Sequence, residues 1–505
     1  MANMKQRTDR AAMTSVTSSE VYADFWQALK LRGIAPPLFL ALCLAFVTFT
    51  ASAAEWDFEP RVELGQNWTD NVALARDGME ESEWITELSP GFTLSLEGPK
   101  VSGEIDYQMQ ILRFDENSNF DDVFSQLDAE GQLEIFPETT FIDAFARYDQ
   151  QNVDTSGRQA FSNFFSTDNR TDYSVVGVSP YHQGTWGSWG ESLVRVTAYG
   201  VRYGNTDAGA TPPIDSDNVE IVGTLGSPRA ARGWSWRASG SFTGTDFDMG
   251  RDFKYSQTLL DLSQPLGFRT RLTGRVGLES DVVEDISKGG LDESLWMLGF
   301  TWEPSDLQSL EVRGGDRFYG TAWEANWQRR GSKGELEVDY TEDPTTSSGV
   351  MSDEDLFLAG FPTIDIGSLD SRVFLRKRLS GRASYELTRS VIEARVYSDR
   401  RKFLDLLAGK EESVGFTLRF DWDAATRTRF GATVNLEKRD FESTREDEYG
   451  EASVRITRQI NRVLSAEVRL SHFLRNSNTE TDYSANLVSL FLTASFGGGE
   501  DAPRR

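Results

Sequence analysis

Apolar and polar residues alternate one by one through long stretches of this chain. In "GELEVDYTED" (Gly334 to Asp343), Leu336, Val338 and Tyr340 share one face of an expected strand. Glu335, Glu337 and Asp339 share the other, because successive strand side chains point to opposite sides. "VSGEIDYQMQI" sets Ile105, Tyr107 and Met109 against Glu104, Asp106 and Gln108, and "VFSQLDAEGQLEI" sets Leu127, Ala129 and Leu133 against Asp128, Glu130 and Glu134. "WSWRASGSFTG", "SVGFTLRFDW" and "RFGATVNLE" repeat the pattern, and no helical period competes with it.

Short and long connections alternate. Tight turns are expected at "EGPK", "FPETT", "GSPRAARG", "SQPLG", "EPSD", "RRGSKG", "LSGR" (from Leu379) and "DAATR". Longer polar connections are expected at 70–82, 149–172, 204–217, 280–293 and 342–370. Short turns at one end and long loops at the other are the wiring of outer-membrane barrels, and the count predicts about 22 strands, with 18 to 24 allowed. The runs span roughly 9 to 13 residues, the length of a tilted membrane crossing. A β-propeller blade would pack four short strands into each hairpin period, where this chain holds two long ones. The expected fold is therefore all-β, a large antiparallel transmembrane β-barrel.

In such a barrel the apolar face meets lipid and the acids of "GELEVDYTED" line a watery lumen. Trp56, Trp68, Trp84, Trp234, Trp302, Trp422, Tyr483 and Phe496 fall toward the ends of apolar faces, where interfacial aromatics are expected. "NLVSLFLTASF" closes on Phe496, as does the terminal-strand signal read by outer-membrane assembly machinery, although the polar tail 497–505 follows it.

The 505 residues carry 52 Lys and Arg against 79 Asp and Glu, a formal charge of -27, which argues against nucleic acid. One apolar run, "PLFLALCLAFVTF", is preceded by Lys30 and Arg32 and followed by "ASAAEW". This is the form of a secretory signal peptide cleaved near Ala53 or Ala54, giving a 1–54 signal, a barrel over 55–496 and the tail. Cleavage removes Cys43, the one cysteine, so no disulfide is expected. The first strand is expected to begin at Trp56, leaving no room for a separate N-terminal plug.

"WTDNVAL", "ELSPGF", "SPY", "GGDRFYGTAWEANWQRR" and "DYTEDPTT" resemble segments of the PEP-CTERM (exosortase) system-associated outer-membrane β-barrel family. The resemblance runs over nearly the whole mature chain through short motifs. It implies a barrel of the Gram-negative outer membrane linked to exopolysaccharide export, and it brings no catalytic residues.

Candidate pore-lining residues follow from the polar faces. Glu104, Asp106, Gln108, Asp128, Glu130 and Glu134 form an acidic wall on the third and fourth strands, with Glu335, Glu337 and Asp339 further round. Arg271, Arg275, Arg313 and Arg317 are expected on strands 11 and 13, and Arg372, Arg376, Arg378 and Arg395 on strands 16 and 17. As a set, opposed acidic and basic walls could orient a charged or hydroxyl-rich solute; singly, each is expected to be a cross-strand ion pair. "DENSNFDD" has oxygen ligands at alternate positions, but Phe120 stands where a calcium loop needs glycine. No cofactor or metal is expected. His182 and His472 are the two histidines, and no GxSxG, HExxH or P-loop is present, so an enzyme is not expected. The 342–370 connection, with its apolar "DLFLAGFPTIDI", is the expected inward constriction. The expected partners are outer-membrane lipid and lipopolysaccharide, the assembly machinery, a polysaccharide cargo and periplasmic export proteins. The rival readings are a general diffusion porin and a surface adhesive or scaffold barrel without transport.

Overall fold

A computed structural model describes residues 54–155, 157–204, 213–228, 233–351, 369–404, 409–442 and 444–497. The expected signal segment, the "DLFLAGFPTIDI" stretch and the tail beyond Gly497 lie outside them. Twenty-two strands follow in order, beginning with β1 (Glu55–Thr69), β2 (Glu83–Glu97), β3 (Val101–Phe114), β4 (Asp122–Phe136), β5 (Thr140–Asn152), β6 (Arg170–Thr185) and β7 (Glu191–Tyr203). Next come β8 (Ser216–Gly226), β9 (Ser235–Phe247), β10 (Phe253–Pro265), β11 (Thr270–Glu279), β12 (Glu293–Ser305), β13 (Gln308–Arg317) and β14 (Gly320–Arg330). The rest are β15 (Gly334–Thr346), β16 (Val373–Glu386), β17 (Ser390–Phe403), β18 (Lys410–Ala425), β19 (Thr428–Phe441), β20 (Glu446–Gln459), β21 (Leu464–Ser477) and β22 (Tyr483–Ser495). A short helix of five residues, α1 (Ser347–Met351), follows β15.

Every strand pairs antiparallel with its sequence neighbours, and β1 also pairs with β22 from Arg61 opposite Ser495 to Thr69 opposite Leu487. That last ladder closes the sheet into a barrel and leaves no free edge. Connections after even-numbered strands are short turns; those after odd-numbered strands include all the long loops.

Alternation decides the two faces. On β18, Val414, Phe416, Leu418 and Trp422 are exposed outward while Ser413 and Gly415 are buried against the lumen. Trp422 to Val414 spans roughly 26 Å along the strand, or about 20 Å of thickness at a tilt near 40°, close to the apolar band of a membrane barrel. The same outward belt carries Phe58, Leu64, Trp84, Leu298, Leu436 and Leu490 round the barrel. An apolar surface this continuous is stable only where lipid-like chains cover it.

Three expectations need correction. "LSGR" is no turn: Leu379 to Arg382 lies inside β16, and the turn is 387–389. Glycine and serine read as turn residues, yet Gly381 packs between Val338 and Val396 in mid-sheet, where little room exists for a side chain. Tyr483 does not belong to the outer aromatics; it faces inward, 2% exposed, and donates to the Gln159 carbonyl at 2.9 Å. Arg372 sits just before β16 instead of on it, bonded to Asp370 at 2.5 Å and stacked on the Phe403 ring at 3.7 Å.

One wall contact is short. β14 and β15 pair over only six positions, Ala325 to Arg330 against Tyr340 to Glu335, while β15 and β16 pair over thirteen. Above Tyr340 side chains replace the ladder: Arg317 donates to the Glu342 carbonyl at 2.6 Å and Trp323 N–H to the Glu342 carboxylate at 3.4 Å.

Candidate functional site

The inside of a 22-stranded barrel is wide enough to need filling. Here the filling comes from the chain's own loops. Val72 and Leu74 of the 70–82 loop are fully buried with Phe164 and Phe165 of the 153–169 loop. Both loops pack against inward side chains of β2, β3, β4, β21 and β22, among them Ile85, Leu112, Phe114, Phe124, Phe473 and Phe491. Phe161 stacks on Phe473 at 5.2 Å and Phe165 meets the same ring edge-on at 5.2 Å. Main-chain bonds tie the loops together, from Ser166 N–H to the Val72 carbonyl at 2.9 Å and from Leu369 N–H to the Val153 carbonyl at 2.9 Å.

The third participant is the connection between β15 and β16. Met351 of α1 and Leu369 are buried among Tyr173 and Val175 of β6 and Tyr199 and Val201 of β7. Since β7 stands eight strands from β15, this connection reaches across the lumen. Its described ends enter the barrel as a constriction, although β15 runs on to Thr346, so it begins later than expected. On a fourth side Val282 and Ile286 of the 280–292 loop pack on Phe253 and Val373. In that loop Ser287 donates both its backbone N–H (3.0 Å) and its hydroxyl (2.8 Å) to Asp285, holding that carboxyl below its usual range.

The 70–82 and 153–169 loops were not expected to enter. Their signal was present as apolar residues on the polar face at the loop ends of strands: Leu112 and Phe114 on β3, Leu487 and Phe491 on β22.

Below this plug the wall is polar. All the expected strand residues face the lumen, and most are engaged. Asp106 receives two bonds from Arg61, at 2.6 and 2.8 Å; Asp128 lies 3.8 Å from Arg147. Glu104 stands directly opposite Glu130, neither with a partner among the described residues, and Gln108 faces Gln126. Glu134 takes the Glu138 N–H. Glu335 pairs with Arg330 at 3.0 Å, Glu337 with Gln328 at 3.0 Å and Asp339 with Asn326.

The arginines are likewise committed. Arg275 joins Asp261 (2.7 Å) and Glu324 (2.7 Å), and Arg313 lies 3.4 Å from Glu324. Arg271 donates to Ser263 and Ser235. Arg317 is buried against Glu279 at 2.9 Å, with Tyr255 donating to the same carboxylate at 2.7 Å. Asp399, buried, is ringed by Arg376 (2.7 Å), Arg378 (3.2 Å) and Arg401 (3.3 Å). Arg395 faces Arg382 across β16 and β17. Two cavities among the described residues adjoin lumen side chains. One of about 700 Å³ lies along β9 to β15 beside Arg237, Arg271 and Arg275; one of about 340 Å³ lies between the tip of the 153–169 loop and β18 to β22.

The backbone of "DENSNFDD" is organised by a carboxylate from β2. Glu83, 1% exposed, accepts the N–H groups of Asp115, Glu116 and Asn117 and the Asn117 amide. His472 faces outward and bonds Asn486, while Ser471 next to it faces the lumen, so the two cannot act as base and nucleophile. His182, also outward, bonds Thr140.

No family model and no curated protein matches the sequence. Among solved structures the fold is similar to a variant of the ferric enterobactin receptor of Pseudomonas aeruginosa, at 11% identity and TM-score 0.46, over 88% of this chain and 82% of that one. It is similar to the FrpB iron transporter of Neisseria meningitidis, at 8% identity and TM-score 0.47, over 88% and 83%. It is also similar to OpdK of Pseudomonas aeruginosa, solved with vanillate, at 8% identity and TM-score 0.35, over 87% and 99%.

Proposed function

We propose that this chain is a barrel of the Gram-negative outer membrane, exported by its 1–54 segment, and that it forms a conduit kept shut by its own loops. The observation that carries this reading is the plug of 70–82, 153–169 and the α1 connection inside a barrel whose outer face is apolar. The favoured cargo is a hydroxyl-rich polymer. Most lumen charges are spent on one another, so the wall offers a passing sugar chain hydroxyls, amides and paired ions more than free charge. The resemblance to exosortase-associated barrels favours exopolysaccharide, with periplasmic partners supplying direction and energy.

In planar bilayers the intact chain should conduct rarely, and a variant with 153–169 replaced by a short Gly-Ser linker should conduct steadily. A strain lacking the gene should retain its surface glycan in the periplasm. Steady conductance of the intact chain would favour a diffusion porin, and unchanged surface glycan would discard the export role.

A further inference from the structure

At the loop end of the outward face, four cations stand side by side above the apolar belt. On β17, Asp399, Arg401 and Phe403 are buried toward the lumen, so Arg400 and Lys402 between them are exposed on the outer face. Lys410 continues the row on β18 and Lys377 on β16. The register puts Lys377 directly opposite Arg400 and Lys402 directly opposite Lys410. Like charges in that relation destabilise a strand pair. Two carboxylates answer part of this charge: Glu342 lies 2.7 Å from Lys377 and Glu412 lies 3.5 Å from Arg400. Lys402 and Lys410 have no partner among the described residues. Of the acids on the next strands, Asp440 and Glu446 are held by Lys438 at 3.5 and 2.9 Å, and Glu442, whose N–H bonds the Lys410 carbonyl at 3.1 Å, makes no ion pair with Lys402 or Lys410 among the described residues. In a chain with a formal charge of -27, this is a concentrated local excess of positive charge.

Its depth says what covers it. Immediately below lie the exposed Leu379, Val396 and Val414, the upper margin of the apolar belt. An anion that meets the cations while its body lies on that margin carries both phosphate and acyl chains. Strands sit about 4.8 Å apart, so the row over β16 to β18 extends roughly 10 Å, wider than one phosphate.

We propose that Lys377, Arg400, Lys402 and Lys410 dock a glycolipid with two phosphates on its sugar headgroup, in the leaflet on the loop side. Lysine and arginine make charge-assisted bonds to the phosphate oxygens, and the acyl chains lie along the outer faces of β16 to β18. The inference rests on the membrane reading above and goes beyond it by naming a site.

The test uses the full mature chain in nanodiscs holding equal amounts of bisphosphorylated lipid A, its dephosphorylated form and phosphatidylglycerol, with retained lipid read by native mass spectrometry. Intact protein should retain bisphosphorylated lipid A about tenfold over either other lipid, and the K402E/K410E variant should lose that preference. R113E, which alters another outward cation at the loop end of β3, should keep it. Heat-dependent gel mobility reports folding, and the milder K402Q/K410Q variant, expected to lose several-fold, serves if the double charge reversal misfolds. Equal retention of the three lipids, selection of phosphatidylglycerol, or an equal loss in R113E would overturn the proposal. Failure of the intact chain to insert at all would be a different result, striking at the membrane reading beneath it.

Discussion

Glu279 shows how much a single buried acid holds in place. It accepts from Nε and Nη2 of Arg317, from the Tyr255 hydroxyl, from the Gln257 amide and from the Phe318 N–H. Glu279→Ala would leave a guanidinium that is only 4% exposed with Asp343 as its carboxylate partner at 3.3 Å beside the neutral Glu342 carbonyl, together with an unsatisfied phenol O–H and backbone amide. A broken buried pair of this kind costs about 3–5 kcal/mol, so the variant should unfold at clearly lower urea concentration in lipid vesicles. Replacing Glu279 and Arg317 together by leucine should recover much of that loss, because no lone charge then remains buried. The face of each of these residues was legible in the sequence, since a period of two assigns it. Their partners were not. Arg61 and Asp106 stand 45 residues apart, and only the strand register brings them together.

At the scale of elements, turn chemistry misled where a strand uses small residues for packing. Ser380 and Gly381 have the composition of a turn, but the outward face at Gly381 is occupied by Val396 and Val338. Loops misled in the opposite way. The 153–169 segment is polar enough to read as a solvent loop, yet Phe161, Phe164 and Phe165 anchor it inside the barrel. A pair of cysteines in place of Val153 and Leu369, which share a main-chain bond, should tie two parts of the plug together. In a chain expressed without residues 1–54, and so without Cys43, the new pair would be the only thiols. Oxidation should suppress openings in bilayers and a reductant should restore them; openings indifferent to both would show that these segments do not move apart. Phe473→Ala removes the ring shared by Phe161 and Phe165 and should raise the open probability, by roughly a factor of ten to a hundred if truncation of a core aromatic costs part of its usual 3–5 kcal/mol in the shut state alone.

For the whole molecule, the sign of the lumen sets what an opened pore passes. The turn-side wall carries Glu104 opposite Glu130, with Glu134 nearby and Glu335 and Glu337 on the far side, eleven strands on, whereas the arginines are largely neutralised by carboxylates. An unplugged variant should therefore prefer potassium over chloride, seen as a reversal potential in a salt gradient, and the preference should shrink at high salt as screening shortens. Barrel closure was legible from strand length and alternating connections, and the count of 22 followed from the hairpins even with one turn misplaced. How the interior is filled was not legible, because it depends on residues from opposite sides of the wall meeting in space.

The six-rung contact between β14 and β15 gives this cylinder a preferred direction of failure. Strain from a thinning or crowded bilayer would gather at that one short zip, where a few side chains stand in for main-chain rungs. A tear starting there would face a fixed azimuth, so neighbours packed round the barrel would meet the interior from that side alone.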